Sequence, residues 1–166
     1  MPTPNLDTNF TKVIVKLTNV DDVGLGTFSD ADASKISDLG KLNYQGHYPA
    51  GASFRSVDHF KQLVNHGEFR MYDFGKKENK KRYGQATAPL FEISNIKNIP
   101  VALYCGTDDL LSSEKDYNWL RSELDANGSL AFFGEYDLGH LGLLMPQDES
   151  HFKDILGVLD KHNGKE

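Results

Sequence analysis

Hydrophobic and polar positions fall into readable periods from about residue 43 onward. In SVDHFKQLVNHGEF, Val57, Phe60, Leu63 and Val64 recur at helical spacing. Ser56 stands where an N-cap would sit, and Gly67 stands where the helix would stop. Further on, IPVALY (99–104) is a near-continuous apolar run of strand-preferring residues, the pattern of a strand covered on both faces. SSEKDYNWLRSEL then reads as a helix. Ser112 or Ser113 is its N-cap, acids fill its first turn, and Tyr117, Leu120 and Leu124 share one stripe. Asn127-Gly128 ends that helix, and SLAFFGEY is a second strand. DLGHLGLLMPQDES is a loop, and HFKDILGVLDKH is a last helix with Phe152, Ile155, Leu156 and Leu159 inward.

Strand, helix, strand, helix is a parallel α/β unit with a right-handed crossover. Two parallel strands make a poor sheet alone, so this half reads as one edge of a larger sheet. The first 40 residues carry fewer signals. KVIVKL (12–17) alternates as a short strand would, while LTNVDDVGLGTFSDADASKISDLGK is rich in Gly, Ser and Asp. NYQGHYPAGAS (43–53) reads as irregular backbone because of its two glycines and proline. KKENKKR (76–82), bracketed by Gly75 and Gly84, reads as a solvated loop.

With 166 residues, 39% hydrophobic and 25% charged, the chain has the composition of one globular domain or the greater part of one. Its net charge of −6 argues against a nucleic-acid partner, since phosphates require a clustered cationic surface. A single cysteine, Cys105, has no internal disulfide partner and reads as a small buried thiol. The opening MPTPNLDTNF lacks the basic and apolar regions of a signal peptide. His47, His59, His66 and His151 have no carboxylate at metal-ligand spacing and read as surface histidines, so no metal or other cofactor is expected. Trp119 reads as packing rather than as a ligand platform.

Chemistry concentrates in two loops. In wound α/β sheets, functional side chains gather where strands end at their carboxyl edge. Gly106-Thr107-Asp108-Asp109 follows the first strand, and Asp137-Leu138-Gly139-His140 follows the second. Parallel neighbours put both loops on one edge, so an acid and a histidine can meet there. A carboxylate bonded to one ring nitrogen fixes the imidazole tautomer and leaves the other nitrogen as general base. Asp108 is expected to cap backbone or face water. An unrelated doubly wound domain holding Mg²⁺ through Asp108 and Asp109 is a rival reading.

The segments HYPAGAS (47–53), HFKQLVNHGEF, MYDFG (71–75), IPVALYCGTDDLL and YDLGHLGLL occur in an order and spacing that resembles the C-terminal portion of the acid lipases. That α/β-hydrolase family includes gastric and lysosomal acid lipases and sterol-esterase relatives. The resemblance implies a partial α/β-hydrolase fold, with residues 43–166 as the C-terminal part of the hydrolase domain. Residues 1–42 would be a lid or cap remnant, or an irregular N-terminal segment. It further implies Asp109 as catalytic acid and His140 as catalytic histidine, with lipid esters (triacylglycerols or sterol esters) as substrates. The family is secreted or lysosomal.

The departures matter equally. The family commonly has an acid two residues after the histidine, where this chain has Gly142. No G-x-S-x-G elbow occurs, and Ser53, in Gly51-Ala52-Ser53-Phe54-Arg55, lacks the second glycine and a preceding strand. The expected partner is therefore the N-terminal half of the hydrolase fold, in the same or a separate chain, and an open sheet edge invites self-association. The alternative is a non-catalytic hydrolase remnant acting as a binding or assembly module.

Overall fold

The structure is a computed structural model that describes residues 30–47 and 51–164. The expected strand at 12–17 lies outside these residues. Five α-helices are described: α1 (Asp38–His47), α2 (Phe54–His66), α3 (Lys76–Tyr83), α4 (Glu114–Ala126) and α5 (Phe152–His162). Strands β1 (Val101–Gly106) and β2 (Leu130–Tyr136) pair in parallel on either side of α4, forming a small α/β unit. The register runs from Val101 opposite Leu130 to Gly106 opposite Tyr136, with one irregularity between Val101 and Ala102.

Local signals explain α4 well. The Ser113 hydroxyl accepts from the Asp116 amide and donates to the Asp116 carboxylate at 2.8 Å, closing the N-terminus reciprocally. Tyr117 and Leu124 are buried beneath it, Leu124 being only 1% exposed. Gly128 takes a left-handed φ of 75°, which turns the chain into β2. The other core side chains are Ile36, Leu63, Ala88 and Leu141.

Several elements differ from expectation. KKENKKR is helical in α3, because Gly75 and Gly84 act as its two caps and Glu78 pairs with Lys81 and Arg82 one turn on. Residues 43–47 continue α1 instead of forming irregular backbone. Helix α2 starts at Phe54, so its N-cap is Ser53 and Ser56 lies in the first turn, while Gly67 (φ 65°) stops it as expected. Of its apolar stripe only Leu63 is buried; Val57 and Phe60 are exposed. Strands β1 and β2 are half-buried along most of their length, since a lone strand pair has too few neighbours to cover both faces. Leu156 and Leu159 of α5 face outward, not into a core.

One interaction anchors the segment between α2 and β1. Asn79 is fully buried on α3, and its amide oxygen accepts from the Phe74 N–H at 3.0 Å. Its nitrogen donates to Asp73 Oδ1 at 2.7 Å and to the Ala86 carbonyl at 3.0 Å. Beyond it, Phe91 N–H donates to Phe69 O and Met71 N–H to Pro89 O, a short antiparallel pairing of residues 69–71 with 89–91.

Candidate active site

The parallel register brings the two polar loops together. Because Gly106 sits opposite Tyr136, both chains leave the sheet at one level. The exits are then zipped: Thr107 N–H donates to Tyr136 O at 2.8 Å, and Asp108 N–H donates to Leu138 O at 3.1 Å. This approach needs glycine at 106, since a Cβ there would collide with the Leu138 carbonyl.

Asp109 and His140, 31 residues apart in sequence, meet across the zipped exits with Asp109 Oδ2 3.0 Å from His140 Nδ1. The carboxylate is fixed from its other side, Oδ1 accepting from the Leu111 amide at 2.7 Å and the Ser112 amide at 3.0 Å. Its side chain is only 4% exposed, whereas that of His140 is 46% exposed. An ionised carboxylate only accepts, so Nδ1 is the donor and Nε2 is the free base nitrogen of the neutral ring. The hydrogen bond to Asp109 raises the His140 pKa above its usual value, against the opposing effect of burial. Chemically, the arrangement is an oriented base that can take a proton at Nε2 and hold the resulting charge.

Asp108 does not simply face water. Its Oδ2 pairs with Lys35 Nζ at 2.5 Å, and the same ammonium reaches Asp137 Oδ1 at 2.5 Å. These carboxylates, Asp108 first, push the Lys35 pKa upward. Asp108 and Asp109 therefore serve different partners, an ammonium and an imidazole, and do not converge on a shared cation site. No cluster of three or more metal-ligating side chains occurs among the described residues.

Sequence reasoning missed three contributors. Asp30 is 3% exposed, and its carboxylate accepts from the amides of Leu141 and Gly142, beside His140. Lys35 ties the acid loop to the histidine loop. His151, expected on the surface, is 3% exposed, and its Nε2 donates to the Leu143 carbonyl at 3.1 Å. A buried acid in SDADAS is indistinguishable by sequence from its solvated neighbours, so no local signal existed for Asp30. Cys105 is half-buried, and burial raises its pKa. His59 is half-buried too, with Nε2 donating to the Arg70 carbonyl.

An apolar cavity of about 670 Å³ lies between α2, α4 and the 69–96 segment, lined by Phe60, Leu63, Phe69, Phe91, Trp119 and Leu120. Leu111 and Ser112, whose amides hold Asp109, also line it. Trp119 thus packs edge-on against Phe69, with ring centroids 6.2 Å apart, and also forms cavity wall.

No protein-family model matches the chain. The chain is 34% identical over 129 residues to lipase lipl-3 of Caenorhabditis elegans, which covers 74% of this chain and 31% of that protein. It is 38% identical over 82 residues to human lipase member J, covering 49% of this chain and 22% of that protein. Bovine gastric triacylglycerol lipase is 34% identical over 82 residues, or 49% of this chain and 20% of that protein. The chain thus spans about a third or less of the curated relatives it matches. Within the aligned stretches about a third or more of the positions are identical to these lipases, and the chain is similar to part of an acid-lipase family member.

Proposed function

We propose that this chain contributes the acid and histidine of a lipase-like ester hydrolase working by a Ser-Asp-His mechanism. The observation that carries the reading is the 3.0 Å contact between Asp109 Oδ2 and His140 Nδ1, with the imidazole half exposed beyond it. Asp109 orients the ring and stabilises the imidazolium. His140 Nε2 takes the proton of a serine hydroxyl as that oxygen attacks the ester carbonyl, then returns it to the departing alcohol. A water deprotonated by the same nitrogen hydrolyses the acyl-serine. The serine and the oxyanion donors come from outside these 166 residues, in the N-terminal half of an α/β-hydrolase fold. On this reading residues 43–166 are its C-terminal part and residues 1–42 a lid or cap remnant, or an irregular N-terminal segment.

Lipid esters are the substrate class. The names of the lipase relatives support it, as does an apolar cavity sharing Leu111 and Ser112 with the acid's own anchor. The outer edge of β1 pairs with no other strand among the described residues, which suits a missing sheet and, in isolation, self-association measurable by sedimentation over a range of concentrations.

The test is a chimaera in which this chain replaces the matching stretch of lipase lipl-3. The chimaera hydrolyses a p-nitrophenyl ester, and His140→Ala lowers kcat by roughly 10³-fold or more. A folded but inactive chimaera, or one indifferent to His140→Ala, refutes the hydrolase reading. It would favour the second reading, a hydrolase remnant kept as a binding module, which the absence of a G-x-S-x-G elbow from the sequence supports.

A further inference from the structure

The turn that carries His140 is tied down from a distance. Within it, Leu143 and Met145 N–H groups donate to the carbonyls of Gly139 and Leu141, four residues back. The amides of Leu141 and Gly142 come too early in the turn to find such partners. Asp30 takes both: Oδ2 accepts from Leu141 at 3.0 Å and Oδ1 from Gly142 at 2.9 Å. It acts as an N-cap supplied from more than a hundred residues away, in charge-assisted bonds sheltered from water by its burial.

The turn is shaped to receive that carboxylate. A Cβ on Gly139 would collide with Asp30 Oδ1, and one on Gly142 would lie 3.2 Å from the same oxygen and 3.1 Å from Gly139 N. Neither glycine has a positive φ, so room for Asp30 is what the missing side chains provide. The Asp30 backbone meanwhile joins the other loop. It forms an antiparallel bridge with Asp109, and the next amide, of Ala31, donates to Asp108 O at 3.0 Å.

We infer that Asp30 is a positioning residue for the Asp109–His140 pair, its backbone registering the acid loop while its carboxylate fixes the histidine turn, so that Nδ1 is delivered to Asp109 Oδ2. The inference rests on the reading of His140 as general base, and it extends that reading to a residue outside both sheet-end loops. Removing the carboxylate frees the turn, and the neutral imidazole is no longer held as the Nδ1–H tautomer.

The tautomer is read directly from ¹⁵N-labelled chain by long-range ¹H–¹⁵N spectra above the imidazole titration, with no substrate needed. The unaltered chain shows His140 as Nδ1–H. Asp30→Asn and Asp30→Ala convert it to a mixture containing Nε2–H. Gly139→Ala, which leaves the acid in place but denies it space, gives the same conversion, and the double variant Asp30→Ala/Gly139→Ala goes no further than Asp30→Ala alone. Leu124→Ala, which loosens the core elsewhere, leaves the tautomer unchanged, so general destabilisation is separated from positioning. Should Asp30→Ala lose its dispersed amide spectrum, Gly139→Ala decides. Retention of Nδ1–H in folded Asp30→Asn and Gly139→Ala overturns the inference while leaving the hydrolase reading intact. An Nε2–H ring in the unaltered chain removes the pair, and with it both readings. An inactive chimaera beside a normal tautomer series refutes only the hydrolase reading.

Discussion

Replacing Asn79 by alanine is a stringent test of how the 71–91 segment is held. The side chain is fully buried and makes three hydrogen bonds, one of them to the Asp73 carboxylate. Two neutral bonds contribute about 1 kcal/mol each, and the bond to a charged acceptor about 1.5–3 kcal/mol. Alanine removes all three and leaves the Phe74 N–H and the Ala86 carbonyl without the partner Asn79 supplied, while Asp73 Oδ1 keeps only the Gly75 amide. The expected loss is about 3–5 kcal/mol, a large share of the roughly 5–15 kcal/mol that stabilises a domain. Urea unfolding followed by circular dichroism measures it as a drop in midpoint at unchanged slope.

The same perturbation carries a pH signature. The Gly75 amide, and after it the Asn79 amide, hold the Asp73 pKa below its usual value. A depressed carboxylate pKa contributes stability above the unfolded value, near 3.9, that is lost as pH falls through the folded value. The Asn79→Ala penalty is therefore larger at pH 7 than at pH 3. Asn79→Asp retains an acceptor for Phe74 but sets a second carboxylate against Asp73, so it destabilises most near neutrality and recovers in acid. A penalty below about 1 kcal/mol for Asn79→Ala, against the typical worth of even one such bond, refutes the anchoring role.

Two further outcomes follow from the site and its supporting helix. Asp109 raises the His140 pKa, so the ion pair contributes stability fully present below the unfolded value, near 6.5, and lost as pH rises through the folded value. Asp109→Asn lowers the His140 titration midpoint in an NMR titration and flattens stability between pH 6 and 8; an unchanged midpoint refutes the electrostatic link. Ser113→Ala removes the α4 cap and costs about 1 kcal/mol in urea unfolding; a change under about 0.3 kcal/mol contradicts the capping geometry.

Sequence legibility tracked the reach of each signal. The α4 cap at Ser113, the stop at Gly67 and the alternation of strand and helix from 99 to 162 rest on contacts within a few positions. The meeting of the two sheet-end loops was legible as well, because parallel pairing leaves little choice about where successive strands end. Helix α3 was misread because its charge hid a capped turn whose only buried side chain is polar. Leu156 and Leu159 were misplaced because periodicity reveals an apolar face without revealing whether anything covers it.

The sequence by itself determined the α/β unit, the family resemblance, and the residues Asp109 and His140 whose contact defines the candidate site. Tertiary structure alone decided that Asp30 lies buried under the histidine turn, that Lys35 neutralises Asp108, that His151 is enclosed, and that Asn79 organises its surroundings. The physical reason is that the cost of burying a polar group is set by which donors and acceptors surround it. For Asp30 those partners lie more than a hundred residues away, beyond the range of any local pattern.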